Sequence, residues 1–251
     1  DITMEIWLPN QNVVWNEAVK AGEVIPVGKS LEDNWQSTFL IPGYVQAENP
    51  DLDSVEDLKD EKYKALFTEP DSGGKAVLYG CIAGWACRGV QDGTEVGPGQ
   101  IEAYGLADHV ELRDPGTAGA LAAAVEGAFK KKNPILFYYW GPTALMLQLG
   151  YPTDVVDLEQ PDPSECADND PVHGCAFPAA EVMIAMNTEL VEDAPYLIPF
   201  FKNWDWSAGN QLAADGWYAE HEADYETAEA AFTATAVWYL SNNDSWKSWV
   251  P

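Results

Sequence analysis

Residues 134–140, PILFYYW, form an almost unbroken apolar run that follows Lys131-Lys132-Asn133 and stops at Gly141-Pro142. The run is far shorter than the roughly 20 apolar residues needed to cross a bilayer. It also lacks the in–out alternation of a strand with one wet face. Such a segment reads as a central strand covered on both sides, the kind found in the parallel sheets of α/β proteins. Its surroundings agree. GTAGALAAAVEGAFKKKN (116–133) is an alanine-rich helix whose lysines lie at the C-terminal end, where the helix dipole favours cations. ALMLQLG (144–150) reads as a helix on the other side. Further strands are expected at ITMEIWLP (2–9, ending at Pro9), STFLIPGYV (37–45), KAVLYG (75–80) and EVMIAMN (181–187). Helices are expected at NQNVVWNEAVKAG (10–22), with Asn10 or Asn12 as N-cap and Gly22 as terminator, at SVEDLKD (54–60), and from about Ala194 onward. Strands alternating with helices give an α/β architecture.

The chain has 251 residues, 47% of them hydrophobic, enough for a packed interior. Thirteen basic and 41 acidic side chains leave a formal charge of −28. Nucleic acid and anionic membrane surfaces would both be repelled, so neither is expected as a partner. No basic segment followed by an apolar stretch opens the chain, so any export signal is expected to have been removed. The four cysteines lack metal-site spacing, with five residues between Cys81 and Cys87, eight between Cys166 and Cys175, and no C-x-x-C. Two short-range disulfides in an oxidising compartment fit this pattern; four free buried thiols are the alternative.

Catalytic motifs are weak. GEVIPVGKS (22–30) approaches a phosphate loop but has five residues between its glycines where four are required, and Pro26 sits in a strand-like stretch. G-x-S-x-G, H-E-x-x-H and G-x-G-x-x-G do not occur, and His109, His173 and His221 lie in polar segments with no adjacent nucleophile. No catalytic residue is assigned. TEPDSGG (68–74) offers Glu69 and Asp71 as calcium candidates, set against the reading of a solvated turn.

Among the eleven tryptophans, three stand where an α/β sheet binds ligands, at the carboxyl ends of strands. Trp7 closes the first strand, Trp140 closes PILFYYW, and Trp85 follows KAVLYG inside GCIAGWACRG (80–89). In that last segment two cysteines frame a large ring among glycine and alanine. A core would surround the ring with bulk; small neighbours leave space for a ligand. Three converging indoles would make an aromatic cage that attracts a quaternary ammonium through the ring quadrupoles. The alternative is that each ring fills core or surface. Trp246 and Trp249, in the C-terminal tail, are expected to lie outside any cage.

VLYGCIAGWACRG, NPILFYYWGP and MEIWLP, together with SVEDLKD and CAFPAAEVMIAMNTEL, resemble the glycine betaine/choline-binding proteins of bacterial ABC importers over essentially the whole chain. The resemblance implies a two-lobed, type II-like periplasmic binding protein of the Venus-flytrap kind. Lobe one would comprise residues 1–44 plus 177–251 and lobe two residues 45–176. It implies a tryptophan box of Trp7, Trp85 and Trp140, closed by lobe motion, with the backbone N–H groups of Ala86 and Cys87 binding a ligand oxyanion. It further implies a periplasmic monomer that hands its ligand to a permease in the inner membrane, with no cofactor. Two features depart from the family pattern. The strand-helix-strand that begins lobe one in relatives is expected to be missing here. Gln11 stands four residues after the first box tryptophan, where some relatives carry a histidine for a ligand carboxylate. Glu5, two residues before Trp7 on the strand, is expected on the same face as the ring. A carboxylate there disfavours a ligand that carries its own carboxylate, so trimethylamine N-oxide or choline is expected ahead of glycine betaine. The rival readings are an enzyme acting on a quaternary amine and a structural or adhesion domain.

Overall fold

In the computed structural model, residues 1–93 and 97–251 are described. The chain divides into two compact units. The first contains Asp1–Asn34, Pro142–Ala144 and Ala179–Pro251; the second contains Trp35–Gly141 and Leu145–Pro178.

The second unit is built on a five-stranded mixed sheet. In chain order its strands are β3 (Trp35–Pro42), β4 (Ala76–Tyr79), β5 (Val110–Arg113), β6 (Leu136–Gly141) and β7 (Val155–Asp157), and their spatial order is β5-β4-β6-β3-β7. β4 runs parallel to both β5 and β6, whereas β3 runs antiparallel to β6 and β7. PILFYYW is thus a central strand, as its unbroken apolar character requires. Leu136, Phe137, Tyr138 and Tyr139 are all buried between layers. On one side Leu121 and Val125 of the helix Ala118–Lys131 pack with Phe137. Another group gathers Phe39, Ile41, Leu52, Leu58, Leu78 and Leu136. This burial supplies the main driving force for the unit, at about 25 cal/mol per Å² of apolar surface removed from water.

The first unit holds a three-stranded antiparallel sheet of β1 (Ile2–Leu8), β2 (Val24–Leu31) and β8 (Glu181–Asn187), in the order β1-β8-β2. Val27, Ile184, Met186 and Phe201 form its small core. Two long helices follow, Ala208–His221 and Ala228–Asn242. The helix after β1 runs Asn12–Ala21, and its N-cap is Gln11 rather than Asn10 or Asn12.

The division between units differs from the one expected at residues 44/45. The chain leaves the first unit ten residues earlier, because β3 is buried along almost its whole length as a partner of β6 and β7. SVEDLKD forms a 3₁₀ turn, Val55–Lys59, started by a Ser54–Asp57 capping box. No helix among the described residues is long and apolar enough to cross a membrane.

Candidate functional site

The parallel pairing of β4 with β5 and β6 brings three chain segments to one edge of the second sheet. Tyr79 ends β4 beside Arg113 of β5 and Phe137 of β6, so all three strands point their carboxyl ends the same way. The segment after β4 is GCIAGWACRG, the penultimate residue of β6 is Trp140, and the residue after β5 is Asp114.

Cys81 and Cys87 are bridged, with 5.9 Å between their Cα atoms. The bridge closes a short loop whose turn passes through Gly84 at φ +90°, a conformation that side-chain-bearing residues rarely adopt. A Cβ on Gly84 would meet nothing within 4 Å, so the space beside the loop is open. Trp85 follows as the N-cap of the short helix Ala86–Asp92 and remains 43% exposed. Its ring meets that of Trp140 edge to face, with centroids 5.3 Å apart and planes at 69°. Two indoles thus form the walls of a corner. Trp140 is backed by Tyr139, stacked at 4.7 Å, and Tyr138 lies 6.0 Å away. Burial pushes the Tyr139 phenol up to about 12, which keeps the backing ring neutral at any physiological pH. The N–H groups of Ala86 and Cys87 lie in the first helical turn, where no carbonyl one turn earlier can take them.

Asp114 braces this loop and was not anticipated from the sequence. Its carboxylate accepts from the N–H of Gly116 at 2.9 Å and from that of Ala83 at 3.2 Å. These two bonds, the Gly116 bond first, hold the Asp114 carboxyl below its ordinary pKa. The signal available in the sequence was an Asp-Pro-Gly turn directly after a short strand.

Trp7 lies in the first unit, at the end of β1. Gln11 holds it in place: the Gln11 side-chain oxygen accepts from the Trp7 N–H at 2.6 Å, and the Gln11 N–H donates to the Trp7 carbonyl at 3.0 Å. Glu5 is exposed, and its N–H donates to Thr3 Oγ1. The β1–β8 register shifts between Thr3 and Ile6. That bulge interrupts the two-residue alternation from which Glu5 was placed on the face of Trp7.

Glu69 and Asp71 do not form a cation cradle. Both are ion-paired to Arg113, which also binds Glu111, and the Tyr79 hydroxyl donates to Glu69 at 2.7 Å. The carboxylates are thus gathered around a guanidinium. Among the described residues no group of three or more His, Cys, Asp or Glu is placed to hold a metal. His221 stacks on Trp217.

The remaining tryptophans behave differently. In the first unit a cavity of about 660 Å³ is lined by Phe200, Trp204, Trp206, Tyr239, Trp246 and Trp249, among others. Its rings pack on one another, with Trp204–Trp249 centroids at 4.5 Å and Trp206–Tyr239 at 4.7 Å. Its one carboxylate, Asp215, already accepts from Gln211 at 2.9 Å. Trp249, near the C-terminus, is 4% exposed.

With this geometry in hand, the relatives are informative. The family described as "Substrate binding domain of ABC-type glycine betaine transport system" matches residues 1–235. The glycine betaine-binding periplasmic protein OusX of Dickeya dadantii is 31% identical over 162 residues, covering 62% of this chain and 46% of that protein. The glycine betaine/proline betaine-binding periplasmic protein of Escherichia coli is 28% identical over 176 residues, 66% of this chain and 51% of that protein. The chain therefore spans about half the length of the curated relatives it matches. Among solved structures, the glycine betaine/L-proline-binding protein ProX of Borrelia burgdorferi superposes with TM-score 0.70 at 20% identity, over all of this chain and 78% of that one. A choline-binding ABC-transporter protein in complex with choline gives 0.64 at 19%, over all of this chain and 75% of that one. These structures share the fold, that of two-lobed periplasmic binding proteins.

Proposed function

Since the chain belongs to the family of substrate-binding domains of ABC-type glycine betaine transport systems, we propose that it captures a small methylated ammonium compound in the periplasm and delivers it to a membrane permease. Members of this family bind and hand on a substrate; the chain is a binding protein and not an enzyme.

The observation that carries the ligand class is the corner made by Trp85 and Trp140 on the disulfide-closed loop. Two electron-rich faces meeting at a steep angle suit a rounded cation with no donors of its own, and such a contact is worth about 2 kcal/mol or more when desolvated. The strongly negative chain adds long-range attraction for a cation. In this proposal Trp7 is a further ring of the tryptophan box. The amides of Ala86 and Cys87 receive any oxyanion the ligand carries.

Within that class, the reading favours choline or trimethylamine N-oxide over glycine betaine. Gln11 carries no positive charge for a ligand carboxylate, and its oxygen is engaged by the Trp7 amide. Titration calorimetry of the chain against trimethylamine N-oxide, choline, glycine betaine and carnitine tests both levels. Binding of at least one compound, lost in Trp85→Ala, is the expected result for the class. Glycine betaine binding tenfold or more tighter than choline and trimethylamine N-oxide would overturn the ranking.

A further inference from the structure

Behind the tryptophan loop runs a chain of buried side-chain hydrogen bonds that no ligand contact requires. The N–H of Cys81 donates to Gln91 Oε1 at 2.8 Å. Gln91 Nε2 donates to Thr38 Oγ1 at 3.4 Å, and Thr38 Oγ1 donates to Gln100 Oε1 at 2.6 Å. Gln100 Nε2 then donates to the carbonyl of Cys175 at 2.8 Å. Thr38, Gln91, Gln100, Cys81 and Cys175 are all fully buried. Each end of the chain lies on the backbone of a disulfide cysteine: Cys81 of the bridge that frames Trp85, and Cys175 of the bridge to Cys166.

Three features give this arrangement physical weight. Donor and acceptor roles run in one direction without conflict, so each link polarises the next. Loss of the central hydroxyl strands an amide donor on Gln91 and an amide oxygen on Gln100, both shut off from water. Finally, the first residue of GCIAGWACRG is itself fitted to the chain, since a Cβ on Gly80 would come within 2.7 Å of Gln91 Oε1. The Cys166–Cys175 bridge therefore anchors the far end of a buried connection to the tryptophan loop.

We infer that Thr38, Gln91 and Gln100 are positioning residues for the Trp85 loop, and that through them the Cys166–Cys175 bridge contributes to ligand affinity. They act through the Cys81 backbone and touch no ligand. This rests on the proposed ligand class, so the test carries one reading that needs ligand and one that does not. Four variants of the full chain suffice: Thr38→Val, its conservative counterpart Thr38→Ser, the pair Cys166→Ser/Cys175→Ser, and Leu58→Ala as a control in a different hydrophobic cluster from Cys81 and Cys87. Hydrogen exchange of residues 81–89 without ligand should quicken in Thr38→Val and in the cysteine pair. It should stay unchanged in Thr38→Ser and in Leu58→Ala, although Leu58→Ala lowers the melting temperature at least as far. Affinity for choline or glycine betaine, measured well below every melting temperature, should fall about five- to tenfold in the first two variants and less than twofold in the others. Equal exchange in Thr38→Val and Leu58→Ala would overturn the inference, as would unchanged affinity in a chain that binds either compound. Failure of the unmodified chain to bind any methylated ammonium would remove the ligand class; faster exchange in 81–89 would then still support the positioning role.

Discussion

Two groups of tryptophans occupy the two units, and they use the same side chain in opposite ways. In the first unit Trp204, Trp206 and Trp249 face one another beneath the two long helices, and Trp249 is almost wholly buried. In the second, Trp85 keeps close to half its surface open and meets Trp140 only at an edge. The difference lies in the neighbours. Trp249 is surrounded by other large rings, whereas Trp85 sits between Gly84 and Ala86 on a loop held by a disulfide and by Asp114. An indole among bulk contributes packing; an indole among small residues on a fixed backbone contributes a surface. The count of tryptophans thus says little, and the mechanical support of each says a great deal.

This contrast can be broken by substitution. The largest effect is expected from Trp249→Ala, which should destabilise the first unit by about 3–5 kcal/mol, the usual range for deleting a buried tryptophan. Thermal or denaturant unfolding checks this, and a loss below about 1 kcal/mol would show that the ring is not packed as described. Next comes Trp140→Ala, expected to weaken ligand binding by about 2 kcal/mol or more while costing less stability than Trp249→Ala. Calorimetry and melting curves on the same preparation separate the two losses.

A smaller effect should follow Asp114→Ala, about 1 kcal/mol in affinity through a loosened loop, with both brace bonds removed. Its pH dependence has a definite sign. The folded carboxyl titrates below its ordinary value of 3.8, so the stabilisation it gives is fully present above that value. The stabilisation fades as the pH falls through the lower, folded pKa. Asp114→Asn should accordingly lower stability at neutral pH, where the charge-dependent part is given up, and flatten the further loss at the acid end. A steeper acid loss in Asp114→Asn than in the unmodified chain would contradict this account of the brace. The smallest change is expected from Trp246→Ala. Its ring N–H donates to the Leu240 carbonyl at a partly open site, and binding should shift by less than about 0.5 kcal/mol.

How much of this was legible in the sequence depends on the length scale of the signal. PILFYYW was legible as a central strand because a short, unbroken apolar run bounded by turn residues suits a strand covered on both faces. The disulfides and the exposed setting of Trp85 were legible too, since Cys spacing and small neighbours are local. STFLIP was legible as a strand, but its sheet was not, because pairing with β6 and β7 is decided by residues a hundred positions away. The short strands Val110–Arg113 and Val155–Asp157 carry too few residues for a period to show. The burial of Trp249 was not legible for the same reason: it comes from Trp204 and Trp206, distant in sequence. Asp114 showed only as an Asp-Pro-Gly turn, and the Thr38–Gln91–Gln100 connection was invisible, because polar side chains give no hydrophobic pattern to read. The bulge in β1 likewise broke the simple alternation used to place Glu5.

The central claim is that the Trp85–Trp140 corner, and not the larger tryptophan cluster, receives the ligand. Calorimetric titration of choline and glycine betaine into the unmodified chain, Trp85→Ala, Trp140→Ala and Trp246→Ala tests it most directly. The account predicts at least a tenfold loss of affinity in each of the first two variants and less than about a threefold change in the third. Equal losses in all three, or an affinity that survives removal of both Trp85 and Trp140, would contradict it.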